Sequence, residues 1–272
     1  MGVSYGECRP DRHEVVLHSA NARGMGTAVA PMVLFVAADP RECAGWVSRW
    51  EGVHPVSLPV IWARAGRFKG RDVMAIASGA GAERAFAAVI VASRPSAVCN
   101  IGFCGALDES LRVGDVVVAL EVRDNTARDN SGPETHTYET LVPGVGKPEA
   151  MLSGAVVSIH HVAQTAAEKR NLRATGASIV DMEAAGAARA AEDLGLPFYC
   201  IRAVSDLAGE DFENDFNAAL GPDGQFSTLR LVRGALASPR KRFAELLRLK
   251  QRTALASKNL GDFLADCTFQ SR

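Results

Sequence analysis

The chain has 272 residues, 47% of them hydrophobic, and a formal net charge of -1. That is enough apolar material for a substantial core in one large domain or two small ones, and the balanced charge excludes a globally basic surface that would draw nucleic acid or an acidic membrane. No apolar run is long enough to cross a bilayer, and the six cysteines (Cys8, Cys43, Cys99, Cys104, Cys200 and Cys267) show neither CxxC nor zinc spacing, so they read as free thiols in a reducing compartment.

In chain order, residues 1–28 are polar and aperiodic, a loose extension. Residues 32–37 form an apolar run. The stretch from Ala28 to Ala38 could pass for a signal-peptide core, but Asp39, Arg41 and Glu42 follow at once, so a buried first strand and a cytoplasmic protein are expected. Residues 41–50 read as a helix, and 56–63 and 72–77 as strands paired through a turn at 66–70. Residues 82–93 read as a helix stopped by Pro95, and 97–101 and 116–122 as buried strands. Residues 123–150 are rich in Asn, Asp, Gly and Pro and predict a long loop of the kind that serves as a lid or binding segment.

The regular pattern resumes with a strand at 155–159, a helix at 165–175, a strand at 179–181 and a helix at 183–194 that Gly195 terminates. Residues 198–204 are a last buried strand. From Phe212 onward the pattern is helical, interrupted by a turn at 221–224. The Lys and Arg cluster between Arg230 and Arg252 reads as the polar face of these helices, with nucleic-acid contact the weaker rival. Continuous apolar strands between helices predict an α/β fold: a single domain with a central mixed, mostly parallel sheet flanked by helices on both faces. The expected division is an extension at 1–28, an α/β domain at 29–211, and a helical extension at 212–272 packed on it.

Ligands of such sheets bind beyond the carboxyl ends of the strands. Four polar groups stand there: Asp39 to Glu42, Ser78-Gly79-Ala80-Gly81, Asp181-Met182-Glu183, and Ser205-Asp206. Carboxylates at three strand ends suggest acid-base chemistry. Taken singly, Glu42, Asp181 and Glu183 read better as carboxylates complementing a helix N-terminus. Gly79-x-Gly81 is not a dinucleotide fingerprint, because Arg84 takes the third glycine position and the first strand lies well upstream. It reads instead as a place where the backbone approaches a small ligand or anion.

Together the segments carry a resemblance. Val180-Asp-Met-Glu-Ala-Ala-Gly186, then Leu196-Pro-Phe-Tyr-Cys-Ile-Arg-Ala-Val-Ser-Asp206, resembles the nucleoside phosphorylase and nucleosidase superfamily, in particular methylthioadenosine/S-adenosylhomocysteine nucleosidases. Asn100-Ile-Gly-Phe-Cys-Gly-Ala-Leu-Asp108, Leu111 to Val118 and Ser78 to Gly81 are similar to that family's glycine segments, in register from about residue 32 to 211. The resemblance implies cleavage of a purine N-ribosidic bond in an adenosyl-type nucleoside. It implies Asp206 as the acid that protonates N7, Glu183 on the ribose hydroxyls and the water, and Glu42 as the group that activates the water. It also implies Met182 against the sugar, Ser78 near the nucleophile, and Val162 near the base; Gly79, Gly81 and Ser205 complete the substrate site. No metal or organic cofactor is required, and a homodimer is expected because family members often complete the pocket with a partner chain.

Protonating N7 relieves a poor leaving group, and a nearby carboxylate stabilises the cation-like sugar. Hydrolysis is favoured over phosphorolysis because Asn100 and Phe103 stand where family phosphorylases place Arg and Ser. Phosphate as co-substrate stays a near rival, since Arg41 could meet an anion. The Asp39–Glu42 stretch and the tail also resemble phosphorylase-like proteins associated with hopanoid lipid synthesis, which act on an adenosyl-lipid. His160 and His161 depart from the nucleosidase pattern and read equally as substrate contacts or a satisfied polar pair. A nucleoside-binding protein without catalysis is the second alternative, and a dehydrogenase a distant third.

Overall fold

The computed structural model describes residues 32–92, 95–126, 136–148, 151–236 and 239–270. The predicted extension at 1–28 lies outside them. The chain runs β1 (Val33–Ala37), α1 (Pro40–Val47), β2 (Glu51–Pro55), β3 (Trp62–Phe68), β4 (Arg71–Ala77), α2 (Ala82–Val91), β5 (Ala97–Ala106) and β6 (Val116–Asn125). It continues with β7 (His136–Glu139), β8 (Leu152–Ile159), α3 (Ala166–Arg173), β9 (Ile179–Asp181), α4 (Ala184–Asp193), β10 (Phe198–Asp206), α5 (Phe216–Ala219), α6 (Thr228–Ala235) and α7 (Pro239–Asp266).

Five strands close on themselves. β10 pairs with β5 and β6, β6 with β8, β8 with β9, and β9 with β5. From β5 an open wing extends through β1, β4, β3 and β2. The sheet is therefore mixed and partly barrel-like, and the expectation of a mostly parallel sheet needs correcting. The pairings β1–β4, β1–β5, β5–β10, β6–β8 and β8–β9 are parallel, whereas β2–β3, β3–β4, β5–β9, β6–β7 and β6–β10 are antiparallel. Apolar runs show burial on both faces but carry no sign of strand direction.

Two strand assignments also change. Residues 56–61 connect two strands, which lie at 51–55 and 62–68, because Pro59 interrupts the run with no N–H to donate. The β3–β4 hairpin turns at Lys69 and Gly70, both with positive φ (49° and 77°), as tight hairpin turns require. The supposed long loop at 123–150 is partly sheet: β6 runs to Asn125, and β7 pairs back on it from Glu121↔Glu139 to Asp124↔His136. Its residues 127–135 lie outside the described set.

Alternation along β1 explains the two cores. Leu34 and Val36 face a cluster with Ile76, Val98 and the alanines of α2 and α4. Val33, Phe35 and Ala37 face a second cluster with Trp46 of α1 and Leu260 and Leu264 of α7. Leu260 and Leu264 are fully buried, each worth about 1.5–3 kcal/mol. α7 reaches α1 at backbone distance: a side chain at Gly45 would stand 2.0 Å from the Ser257 carbonyl. Ser257 Oγ donates to Arg41 O (2.7 Å) and accepts from Gly45 N (3.1 Å), so the last helix is pinned to α1. Among the described residues, Cys43, Cys99, Cys104, Cys200 and Cys267 are buried and free. No helix among them is long and apolar enough to cross a membrane.

Candidate active site

The carboxyl ends of β1, β5, β9 and β10 meet around one cavity of about 350 Å³. At the end of β1, Asp39 caps α1 in a capping box whose second member is Glu42. The helix-start reading of Glu42 is thus correct but incomplete. Glu42 Oε2 accepts from Ala38 N (2.8 Å) and Asp39 N (3.0 Å), while Oε1 accepts from Phe103 N (2.8 Å) in β5, far along the chain. Burial pushes the Glu42 carboxyl up, opposed by the Phe103 N–H and by Arg202.

β9 delivers Asp181, Met182 and Glu183. Asp181 is structural: Oδ1 accepts from Ser158 Oγ (2.5 Å), Oδ2 accepts from Ala184 N (2.9 Å), and Arg202 Nη2 pairs with Oδ2. Glu183 is the N-cap residue of α4, yet its side chain does not cap that helix; Oε1 accepts from Gly81 N at the start of α2 (3.1 Å). Burial raises its carboxyl to about 8, Arg202 pulling the other way. Arg202, fully buried on β10, faces Asp181 and Asn100 through Nη2 and lies 3.6 Å from Glu183 Oε2 through Nη1. One guanidinium stands among three carboxylates here, and Glu42 and Glu183 are the two whose carboxyls burial pushes upward.

β10 carries Ser205 and Asp206. A register shift between Val204 and Asp206, where β10 pairs β5, re-aims the strand end, and Asp206 is opposite Gly105. Ser205 Oγ lies 2.8 Å from Asp206 Oδ1, and Lys169 Nζ of α3 lies 2.5 Å from Oδ2. The central glycines leave room for these groups: a side chain at Gly102 would stand 2.5 Å from Arg202 Nη1 and 2.9 Å from Glu42 Oε1.

Glu42, Glu183, Asp206, Met182, Ser205 and Val162 all line the cavity. Val162 is held through its backbone, N donating to Asn217 Oδ1 (2.8 Å) and O accepting from Asn217 Nδ2 (3.0 Å). Ser78, Gly79 and Gly81 are not in the cavity wall. The Ser78 hydroxyl faces Ala37 O and Gly79 O, and Gly81, at φ +118°, reaches the site by donating to Glu183. His161 lines the cavity with Nε2 on Glu168 Oε1, and its ring meets that of His160 at 4.7 Å. Arg41 stands at the rim, clasped to Asp39 through Nε and Nη2 (both 2.8 Å). No cluster of three metal-ligating side chains occurs among the described residues.

Sequence reasoning missed three components. Arg202 had a signal, a charge inside the apolar run 198–204, where charges are buried only when paired. Lys169 had none, since it stands in a polar helical stretch. The outer wall, formed by Phe212, Phe216, Phe226, Leu231, Leu246 and Leu249, depends on how the last helices fold back. That return is fixed by Glu245, whose carboxylate accepts from Glu213 N and Asn214 N (both 2.9 Å), and by the Arg252–Glu210 pair (2.6 and 2.9 Å).

The chain is similar in sequence and fold to known proteins. The 5′-methylthioadenosine/S-adenosylhomocysteine nucleosidase of Marinomonas sp. is 29% identical over 189 residues, covering 61% of this chain and 81% of that one. The protein of the same name from Staphylococcus aureus is 28% identical over 210 residues, 70% of this chain and 92% of that one. Among solved structures, the S. pneumoniae nucleosidase superposes with a TM-score of 0.64 at 18% identity, covering 86% of this chain and 97% of that one. The native futalosine hydrolase of Helicobacter pylori gives 0.61 at 17%, with the same coverage of each chain, so the fold is shared. The sequence model of the phosphorylase superfamily matches residues 33–221, more than half of the protein, and the chain belongs to that superfamily.

Proposed function

We propose that the chain hydrolyses the N-ribosidic bond of an adenosyl-type purine nucleoside and releases the free base. One observation carries this reading: three carboxylates from distant parts of the sequence, Glu42, Glu183 and Asp206, line a single cavity beside a buried arginine. Relatives named as nucleosidases support it. In this reading Asp206 gives a proton to N7 as the electron pair of the C1′–N9 bond leaves with the base. Glu183 holds the ribose hydroxyls and orients the water, Met182 packs on the sugar, and Val162 lies along the base. Glu42 takes a proton from the water, whose hydroxyl adds to C1′. The upward push on its carboxyl suits a base working near neutral pH. Gly81 acts from behind this constellation through its hydrogen bond to Glu183, and Ser78 and Gly79 shape the turn that leads to it. We further propose a cytoplasmic homodimer, with the segment 212–272 acting as a helical cover over an α/β domain at 29–211.

The test is base release from a panel of adenosyl nucleosides with varied 5′ groups, with and without phosphate. Phosphate-independent release of adenine is the expected result. Strict phosphate dependence would establish phosphorolysis, and binding without release a non-catalytic protein.

A further inference from the structure

Lys169 is the only buried residue of α3, an otherwise polar helix. Its side chain is fully withdrawn from solvent. Nζ lies 2.5 Å from Asp206 Oδ2 and donates to Leu207 O (2.8 Å), and the ammonium stands 5.3 Å from the centre of the Phe212 ring. A lysine gives up rotamer freedom and hydration to reach such a place, and a buried ion pair is weak evidence of a stability role. Position matters more. Asp206 and Ser205 line the cavity and Lys169 does not, so the ammonium stands behind the carboxyl, on the side away from a substrate.

We infer that Lys169 is a positioning residue for the acid step, an inference that rests on the base-release reading above. It pins Oδ2 at the back, which leaves Oδ1 toward the cavity. When the proton on Oδ1 passes to N7 and the C1′–N9 electron pair departs with the base, a carboxylate remains at Asp206. The Lys169 ammonium balances that charge in place, with no rearrangement of solvent. Ser205 accommodates both forms. Its hydroxyl has two acceptors in reach, Asp206 Oδ1 (2.8 Å) and Cys104 O (3.1 Å). It donates to the carboxylate, or turns to Cys104 and accepts from the carboxylic acid. A proton from solvent restores the resting state.

The experiment compares wild type, Lys169→Met and Lys169→Arg on two substrates: an adenosyl nucleoside, and a nitrophenyl riboside whose leaving group departs without a proton. Lys169→Met is expected to lower kcat on the adenosyl nucleoside by roughly 100-fold, the scale of general-acid catalysis, with KM little changed. The nitrophenyl riboside should lose less than about 3-fold, because the acid step is bypassed, and Lys169→Arg should recover part of the purine activity. Equal losses on both substrates, or no loss on the nucleoside, would overturn the inference while leaving the nucleosidase reading intact. Wild type that releases base from no nucleoside would overturn both. Should Lys169→Met fail to fold, Lys169→Gln supports the same two-substrate comparison.

Discussion

At the strand ends, Glu42, Asp181 and Glu183 are no more than 6% exposed and Arg202 is sealed entirely, each tied to groups far away in the chain. In the segment that supplies the outer wall, Leu229, Leu236 and Leu247, none of them in the cavity wall, are exposed by 67%, 64% and 63%. The contrast separates two tasks. The floor is a polar network in low dielectric, where every partner is costly to remove and geometry is fixed. The outer wall is apolar, and its helices return through a few polar contacts such as Arg252 to Glu210. On the proposed reading, the chemistry falls to the first region and contact with the 5′ substituent to the second.

Four substitutions probe that separation. The largest expected effect is Arg202→Met, which leaves Asp181 and Glu183 without their cation and should cost about 3–5 kcal/mol in urea unfolding. A loss below about 1 kcal/mol would show that the floor is not held by this charge. Asp206→Asn comes next, with a drop in kcat of roughly 10²–10⁴-fold and an unchanged circular dichroism spectrum. Retained turnover would remove Asp206 from the reaction.

Glu183→Gln sharpens the electrostatic half of the comparison. The folded carboxyl is raised to about 8 from an ordinary value of 4.5, so the folded state holds this proton more tightly than the unfolded state. The stabilisation is fully present below pH 4.5 and is lost as pH rises through about 8. Melting temperatures of wild type should therefore fall between pH 6 and pH 9 more steeply than those of Glu183→Gln. Parallel slopes would contradict the assignment. The smallest effect belongs to the outer wall: Leu246→Ala should raise KM roughly 5-fold for a nucleoside with a bulky 5′ group and leave kcat unchanged, matching about 1 kcal/mol of lost apolar contact. A change confined to kcat would mean that the wall takes part in the chemistry.

Much of the floor was legible from residue order. Glu42, Glu183 and Asp206 follow apolar strands, and a strand end is where a parallel arrangement exposes side chains to a ligand. Lys169 was illegible because burial of one position on a polar helix depends on which way that helix faces. Ser78 and Gly79 have the composition of a ligand loop, but the loop packs against residues 223 and 224: a side chain at Gly79 would stand 2.6 Å from Asp223 O. Strand direction escaped for a related reason. β6 and β10 are equally apolar whether they run together or opposed, and only their pairing closes the ring.

Local chemistry in the sequence alone determined most of the helices and buried strands, the two-sided burial of β1 and β5, the place of Glu42 at a helix start, and the candidate acids. Those features depend on side-chain period and on neighbours within a few residues. Tertiary structure alone decided the closed ring of five strands, the insertion of Arg202 among Asp181, Glu183 and Asn100, the Lys169 contact behind Asp206, and the fold-back of α7 across α1. Each joins residues about twenty to more than two hundred positions apart, and their meeting is set by burial and charge balance over the whole molecule, which no local pattern encodes.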